Sequence, residues 1–256
     1  MVFGASGAAV TLRPSLWKIV LTALALDHIA LVTSGLIPRS PLLGPNISRL
    51  PSREAAAGRI ALTFDDGPDP KVTPRVLEIL AERHVKATFF CIGSRAAAHP
   101  ELTRAMVQAG HVLENHSWSH SHAFWFLGPT RLAREIDSTQ LVLKDLGGHL
   151  PRYFRAPAGI RSPLLEPLLA RRGMTLVSWT RRGYDTVIRD PQRVLGRLVR
   201  GLAPGDILLL HDGSVSQDNG GRPVVLEVLP RLLDELQARG FKAAPLPRAF
   251  TLPDSR

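Results

Sequence analysis

The residues of this sequence whose types and spacing could do chemistry are few. Asp65 and Asp66 stand side by side in LTFDDGPDP, and His116 and His120 lie four apart in HSWSH. Arg155 sits in RAPAG, Asp185 in WTRRGYD and His211 in LLLHD. Two imidazoles at i and i+4 face one way on a helical turn, and one carboxylate beside them completes a three-ligand zinc site with an open fourth position. Asp66 can supply that carboxylate. Taken singly, each group has an ordinary structural use: DDGPDP as turn chemistry, the His pair as a solvated helix start, His211 as a capped core histidine, Arg155 as an ion-pair partner. The lone cysteine, Cys91, excludes an internal disulfide framework and a cysteine-based zinc cluster, so any metal must bind through His and carboxylates.

The elements that must position these groups can be read from the apolar pattern. From Arg59 onward the runs RIALTF, KATFFCIG, HVLEN, RYFRAP, MTLVSW and DILLLH each have a strand's length, and a stretch of helical periodicity follows each, with FKAAPL as a further strand near the end. Several of the intervening helices open on Ser, Thr or Asp next to Pro and close on Gly. Strand and helix alternating about seven times predicts an α/β fold with a parallel sheet closed into a distorted (β/α) barrel. An open doubly wound sheet is the alternative, but no Gly-rich nucleotide loop follows the first strand. In such folds chemistry gathers at the carboxyl ends of strands. Asp65, Asp66, the His pair, Arg155, Asp185 and His211 all fall at strand ends, which is more than turn chemistry alone accounts for. Adjacent residues on one strand point to opposite faces, so Asp65 and Asp66 can share a site only where the strand breaks into a turn, and GPDP supplies the break.

With 256 residues, 45% of them hydrophobic, the chain can bury one substantial core. Its net charge of +10 suits an anionic membrane surface better than nucleic acid, because the arginines are spread through helical segments without a nucleic-acid motif. Residues 1–37 include an apolar stretch near bilayer-spanning length, broken by Lys18, Asp27 and His28. It reads as an uncleaved membrane anchor, with a helix docked on the domain and a signal peptide as the alternatives. Basic residues flank both ends, Arg13 and Lys18 before and Arg39, Arg49 and Arg53 after, so charge leaves the orientation open. Residues 38–58 read as a linker and 59–250 as the catalytic domain.

The motifs TFDDGP, HSWSH, RAPAG, WTRRGYD and LLLHD, in this order over about residues 59 to 250, resemble those of the polysaccharide deacetylase family, the NodB-homology domain of carbohydrate esterases. The resemblance implies a distorted barrel, one divalent metal, usually zinc, and removal of acetyl from N-acylated amino sugars. It implies Asp66, His116 and His120 as metal ligands, Asp65 as general base, His211 as general acid, Asp185 as the partner of His211 and Arg155 as the partner of Asp65. Leu209 matches the position lining the pocket for the acetyl methyl, and Trp179 reads equally as a pocket wall or a core residue. Two positions depart from the pattern: Ala158 and Thr186 stand where the family usually carries aromatics that shape a groove against sugar faces. A lipid-linked or membrane-proximal amino sugar therefore competes with peptidoglycan or a secreted polymer as the expected substrate.

Overall fold

A computed structural model describes residues 16–247. Arg13 and residues 248–250 of the expected domain lie outside the described residues. A helix, α1 (Trp17–Leu36), and a short turn of helix, α2 (Ser52–Ala56), precede the first strand. The alternation then runs β1 (Arg59–Asp65), α3 (Thr73–Glu82), β2 (Thr88–Cys91), α4 (Gly93–Ala98), α5 (Pro100–Gln108), β3 (Val112–Asn115), α6 (Pro129–Gly147) and β4 (Tyr153–Phe154). It continues with α7 (Leu165–Ala170), β5 (Thr175–Leu176), β6 (Arg181–Arg182), α8 (Pro191–Val199), β7 (Ile207–His211), α9 (Val224–Ala238) and β8 (Lys242–Ala244).

Helix starts follow the proline signals. Pro100, Pro129 and Pro191 each open a helix, where the missing N–H costs nothing, and Asp190 accepts from the amides of Gln192 and Arg193 to cap α8. Several expected strands are shorter than their apolar runs, most of all RYFRAP, which yields only β4, and MTLVSW, which yields only β5. Three elements escaped the pattern: α2, inside the expected linker, α4, in the alanine-rich GSRAAA, and β6, whose two arginines carry no apolar signal.

All pairings between these strands are parallel, in the order β5-β4-β3-β2-β1-β7-β6, with β8 beside β1. The sheet curls into the expected barrel because the stretch 175–182 pairs at its start with β4 and at its end with β7. Residues 46–50, expected as linker, lie along this seam. Ile47 donates to the Leu176 carbonyl and accepts from the Ser178 amide, and Leu50 donates to Gly205. Arg49 meets the buried Asp206 carboxylate at 2.6 Å.

Alternation on β1 and β7 sorts side chains between the layers. Ile60, Leu62, Phe64, Leu208 and Leu210 join the outer core beneath α3, α8 and α9. Ala61, Ile207 and Leu209 face the barrel interior with Phe90, Tyr153, Val177 and Trp179. Strands buried on both faces explain why these runs read as continuous apolar stretches. On the interior face, Asp65 and His211 are register partners at the carboxyl ends of β1 and β7.

Candidate active site

Asp65 ends β1 on the interior face. The next residue, Asp66, has φ 73°, and that left-handed turn swings its carboxylate to the same side. Adjacent acids thus share a site because the backbone reverses between them. A Cβ on Gly67 would collide with the Asp212 carboxylate, so only glycine fits there. Asp212 in turn accepts from the Thr73 hydroxyl at 2.6 Å, and Thr73 accepts from the Asp69 amide at 2.8 Å, which ties the turn to the start of α3. Burial pushes the Asp212 carboxyl up to about 7.

The His pair departs from the expected helical turn. Residues 116–120 form a loop in which Ser117 (φ 65°) and His120 (φ 50°) are left-handed, and these reversals, not helical periodicity, bring the imidazoles together at a ring separation of 4.9 Å. Glu135 on α6 fixes the loop, accepting from the amides of Trp118 and Ser119 at 3.0 and 2.8 Å and from the Ser119 hydroxyl at 2.8 Å. His116 Nδ1 donates to the Arg155 carbonyl at 2.7 Å, since a carbonyl can only accept, which leaves Nε2 as a free ligand atom. His116 Nε2 and His120 Nε2 lie 3.3 and 3.1 Å from Asp66 Oδ1.

These residues fit a bound cation. Ligands of tetrahedral zinc, with bonds near 2.0–2.2 Å, sit about 3.3 Å apart. The three ligand atoms lie within 4.8 Å of one another, and Asp66 Oδ1 is buried without a hydrogen-bond partner. Burial and the neighbouring His116 depress His120 to about 4, so its imidazole is neutral and free to ligate at pH 7. Burial opposes ionisation of Asp66, but the close imidazole of His116, with His120 and His211 nearby, holds it below the usual carboxylate range.

Arg155, 1% exposed, reaches the interior from the end of β4. Its guanidinium donates to Asp65 Oδ1 at 2.6 Å, to the Thr63 hydroxyl at 2.8 Å and to the carbonyls of Val177 and Ser178, with Phe90 stacked at 4.0 Å. Across the site, His211 Nδ1 donates to Asp185 Oδ1 at 2.7 Å, while the His211 amide donates to Asp185 Oδ2 at 2.8 Å. Burial alone would keep His211 neutral, but Asp185, with Asp65 and Asp66, raises its pKa. Asp185 was expected directly after MTLVSW, but it follows β6.

A cavity of about 480 Å³ opens over these groups, and Asp65, Asp66, His116, His120, His211, Trp179 and Leu209 all line it. Trp179 therefore serves as both core and wall, being 8% exposed. Every sequence-predicted site residue lines this cavity except Arg155 and Asp185, which lie one step back against Asp65 and His211. Sequence reasoning missed Glu135, Asp212, Arg95 and Arg182. Glu135 sits inside an unbroken helical pattern, and nothing in one sequence marks it.

Three comparisons place this geometry. The polysaccharide deacetylase profile matches residues 52–177. A chitooligosaccharide deacetylase of Azorhizobium caulinodans is 36% identical over 73% of this chain and 92% of its own. The chain belongs to the polysaccharide deacetylase family. Family structures share its architecture. A peptidoglycan N-acetylglucosamine deacetylase solved with 4-naphthalen-1-yl-N-oxidanyl-benzamide has TM-score 0.71 at 27% identity, covering 82% of this chain and 95% of that one. A mutant of a carbohydrate esterase family 4 pseudoenzyme, with restored activity, has TM-score 0.69 at 25% identity, covering 78% and 69%. Within this deacetylase family framework, Ala158 and Thr186 both line the cavity, so the two positions without aromatics lie at the rim.

Proposed function

We propose that the protein is a metal-dependent hydrolase that removes an N-acetyl, or N-formyl, group from an amino sugar in a glycan or on a lipid carrier. The observation that carries this reading is the placement of the Arg155–Asp65 pair and the Asp185–His211 pair in one cavity with the three-ligand cluster. A divalent ion held by Asp66, His116 and His120, zinc by its donor set, would supply Lewis acidity to the amide carbonyl and the attacking water.

The chain's own residues then divide the proton transfers. Asp65 is the general base. Arg155 occupies Oδ1, so Oδ2 is the oxygen left to take the water's proton. His211 is the general acid. Its Nδ1 is committed to Asp185, so Nε2 delivers the proton to the departing nitrogen as the C–N bond breaks, giving a carboxylate and a free amine. Leu209 and Trp179 receive the acyl methyl. Thr186 and Ala158 leave the rim without aromatic platforms, which favours a short or lipid-linked amino sugar over an extended polymer groove.

The pseudoenzyme neighbour invites a second reading, a non-catalytic domain that keeps metal and glycan binding. The complete set of base, acid and their two partners supports catalysis instead. Acetate or formate release from N-acylated amino sugars, followed with added zinc and after chelation, tests the proposal; full activity after exhaustive chelation would refute metal dependence, and no release with zinc from any such sugar would favour the second reading.

We place the protein at the bacterial cell envelope, anchored in the membrane by α1. Twenty residues of helix are about 30 Å long, and the span has mean hydropathy 1.8 with 11% of it buried. A helix packed on its own domain would hide a larger share of its apolar surface.

A further inference from the structure

Arg182 and Arg95 line the active-site cavity, and neither takes part in the proton transfers. The carboxylates at the site have their own neighbours: Asp65 pairs with Arg155, Asp185 with His211, and Asp66 faces the two imidazoles that would hold a metal ion with it. Among the described residues no carboxylate pairs with Arg182 or Arg95. Arg182 stands on β6 in register with Leu209, the residue assigned to the acyl pocket, so its Cα lies beside that pocket on the neighbouring strand. Trp179 and Tyr184 hold its guanidinium, with ring centres 5.4 and 4.9 Å away, and its Nε is buried without a hydrogen-bond partner. Arg95 is fixed by its bond to the Asp66 carbonyl at 2.7 Å. Stacking leaves the guanidinium edge free for a planar, bidentate contact, and an uncompensated cation beside a partly desolvated cavity favours an anion there.

We infer that Arg182, with Arg95, forms an oxyanion subsite, and that the amino sugar this enzyme takes carries a phosphate. The inference rests on the deacetylase reading and narrows its substrate class. The way α1 meets the cavity agrees with it. Pro38, two residues past the helix, packs on the cavity residue Gly159, and its carbonyl accepts from the Ser178 hydroxyl at 2.5 Å. The end of the apolar helix is therefore fixed to the cavity wall, where the phosphate of a membrane-borne sugar would lie. A soluble sugar phosphate offers the same chemistry.

The full-length zinc-loaded protein should be assayed on three N-acetylated substrates: neutral diacetylchitobiose, soluble N-acetylglucosamine 1-phosphate, and polyprenyl-phosphate-linked N-acetylglucosamine in phosphatidylcholine vesicles. Either phosphorylated substrate should exceed the neutral one in kcat/KM by roughly tenfold or more, the scale of one charge-assisted contact. Arg182→Gln should bring that ratio towards one, chiefly through KM, and Arg182→Lys should recover part of it. A preference confined to the vesicle substrate assigns the phosphate to a lipid carrier, and one shared by both assigns it to phosphorylated sugars generally. Equal turnover of neutral and phosphorylated substrates, or equal loss on all three in Arg182→Gln, would overturn the subsite and leave the deacetylase reading standing. If no substrate is turned over, the deacetylase reading fails. Calorimetric titration of inorganic phosphate then decides the subsite: weaker binding to Arg182→Gln than to wild type supports it, and equal binding overturns it.

Discussion

Asp65 and Asp66 are chemically identical and adjacent, yet their surroundings differ, and the proposed mechanism gives them separate tasks. Asp66 Oδ1 faces two imidazole nitrogens, whereas Asp65 Oδ1 is held by a buried guanidinium. Asp66→Asn should therefore lose metal, whereas Asp65→Asn should keep it and lose turnover by roughly 10²- to 10⁴-fold, the range of a positioned general base. Mass spectrometry of the folded protein alongside kinetics would check this, and equal metal loss in both variants would refute the division. The same logic governs His211. Its pKa is raised by Asp185 against the effect of burial, and the acid works only while protonated, so activity should fall as pH rises through that pKa. Removing the carboxylate in Asp185→Asn lowers the pKa. The alkaline limb of kcat/KM should move to lower pH with metal content unchanged; an unmoved limb would mean that Asp185 does not tune the acid.

Strand alternation carries a liability at β3, where Leu113 packs in the outer core and Glu114 must turn inward. Glu114 is 3% exposed and accepts from the amides of Arg152 and Tyr153 at 2.8 and 2.7 Å. Burial nevertheless raises its pKa from 4.5 to about 8. A pKa raised on folding means that the folded state binds the proton more tightly. The stability contributed by neutral Glu114 is complete below about pH 4.5 and is lost as pH rises through about 8. The loss approaches about 1.4 kcal/mol per pH unit within that window. Glu114→Gln keeps an acceptor for both amides and removes the titration. Its melting temperature relative to wild type should therefore climb between pH 6 and pH 9, while parallel curves would show that Glu114 is ionised in the fold throughout.

The barrel, its seam and α1 form one connected structure. Residues 46–50 hydrogen-bond along the stretch that closes the barrel, and the same stretch carries Trp179 and Arg182 into the cavity wall. Arg161 donates its amide to the Gly35 carbonyl near the end of α1 and its guanidinium to the Ser40 carbonyl, a second tie between the helix and the domain, two residues past the cavity residue Gly159. If α1 spans a bilayer, the cavity is held close to the membrane surface instead of swinging on a flexible tether. Full-length protein should accordingly remain in the membrane pellet after carbonate extraction; its release into the supernatant would make α1 a docked helix or peripheral contact.

The α/β alternation and the candidate metal-ligating and acid–base residues were legible in the sequence because their signals are local: apolar runs, proline and glycine boundaries, and acids or histidines at the ends of strand-like stretches. The assignment of roles came from the family resemblance carried by TFDDGP and HSWSH. What could not be read there depends on contacts between residues far apart in the chain. The His loop reverses through two left-handed residues because Glu135, 15 residues beyond His120, supplies the acceptors for its amides. β6 has no apolar pattern, and pairing with β7 alone makes it a strand. Residues 46–50 look like a linker until the unpaired seam of the barrel gives their backbone groups partners. Arg182 reads as one basic residue among 32 Lys and Arg. Its place beside Leu209, without a carboxylate partner, follows from strand register and closure of the barrel, and no local pattern encodes that closure.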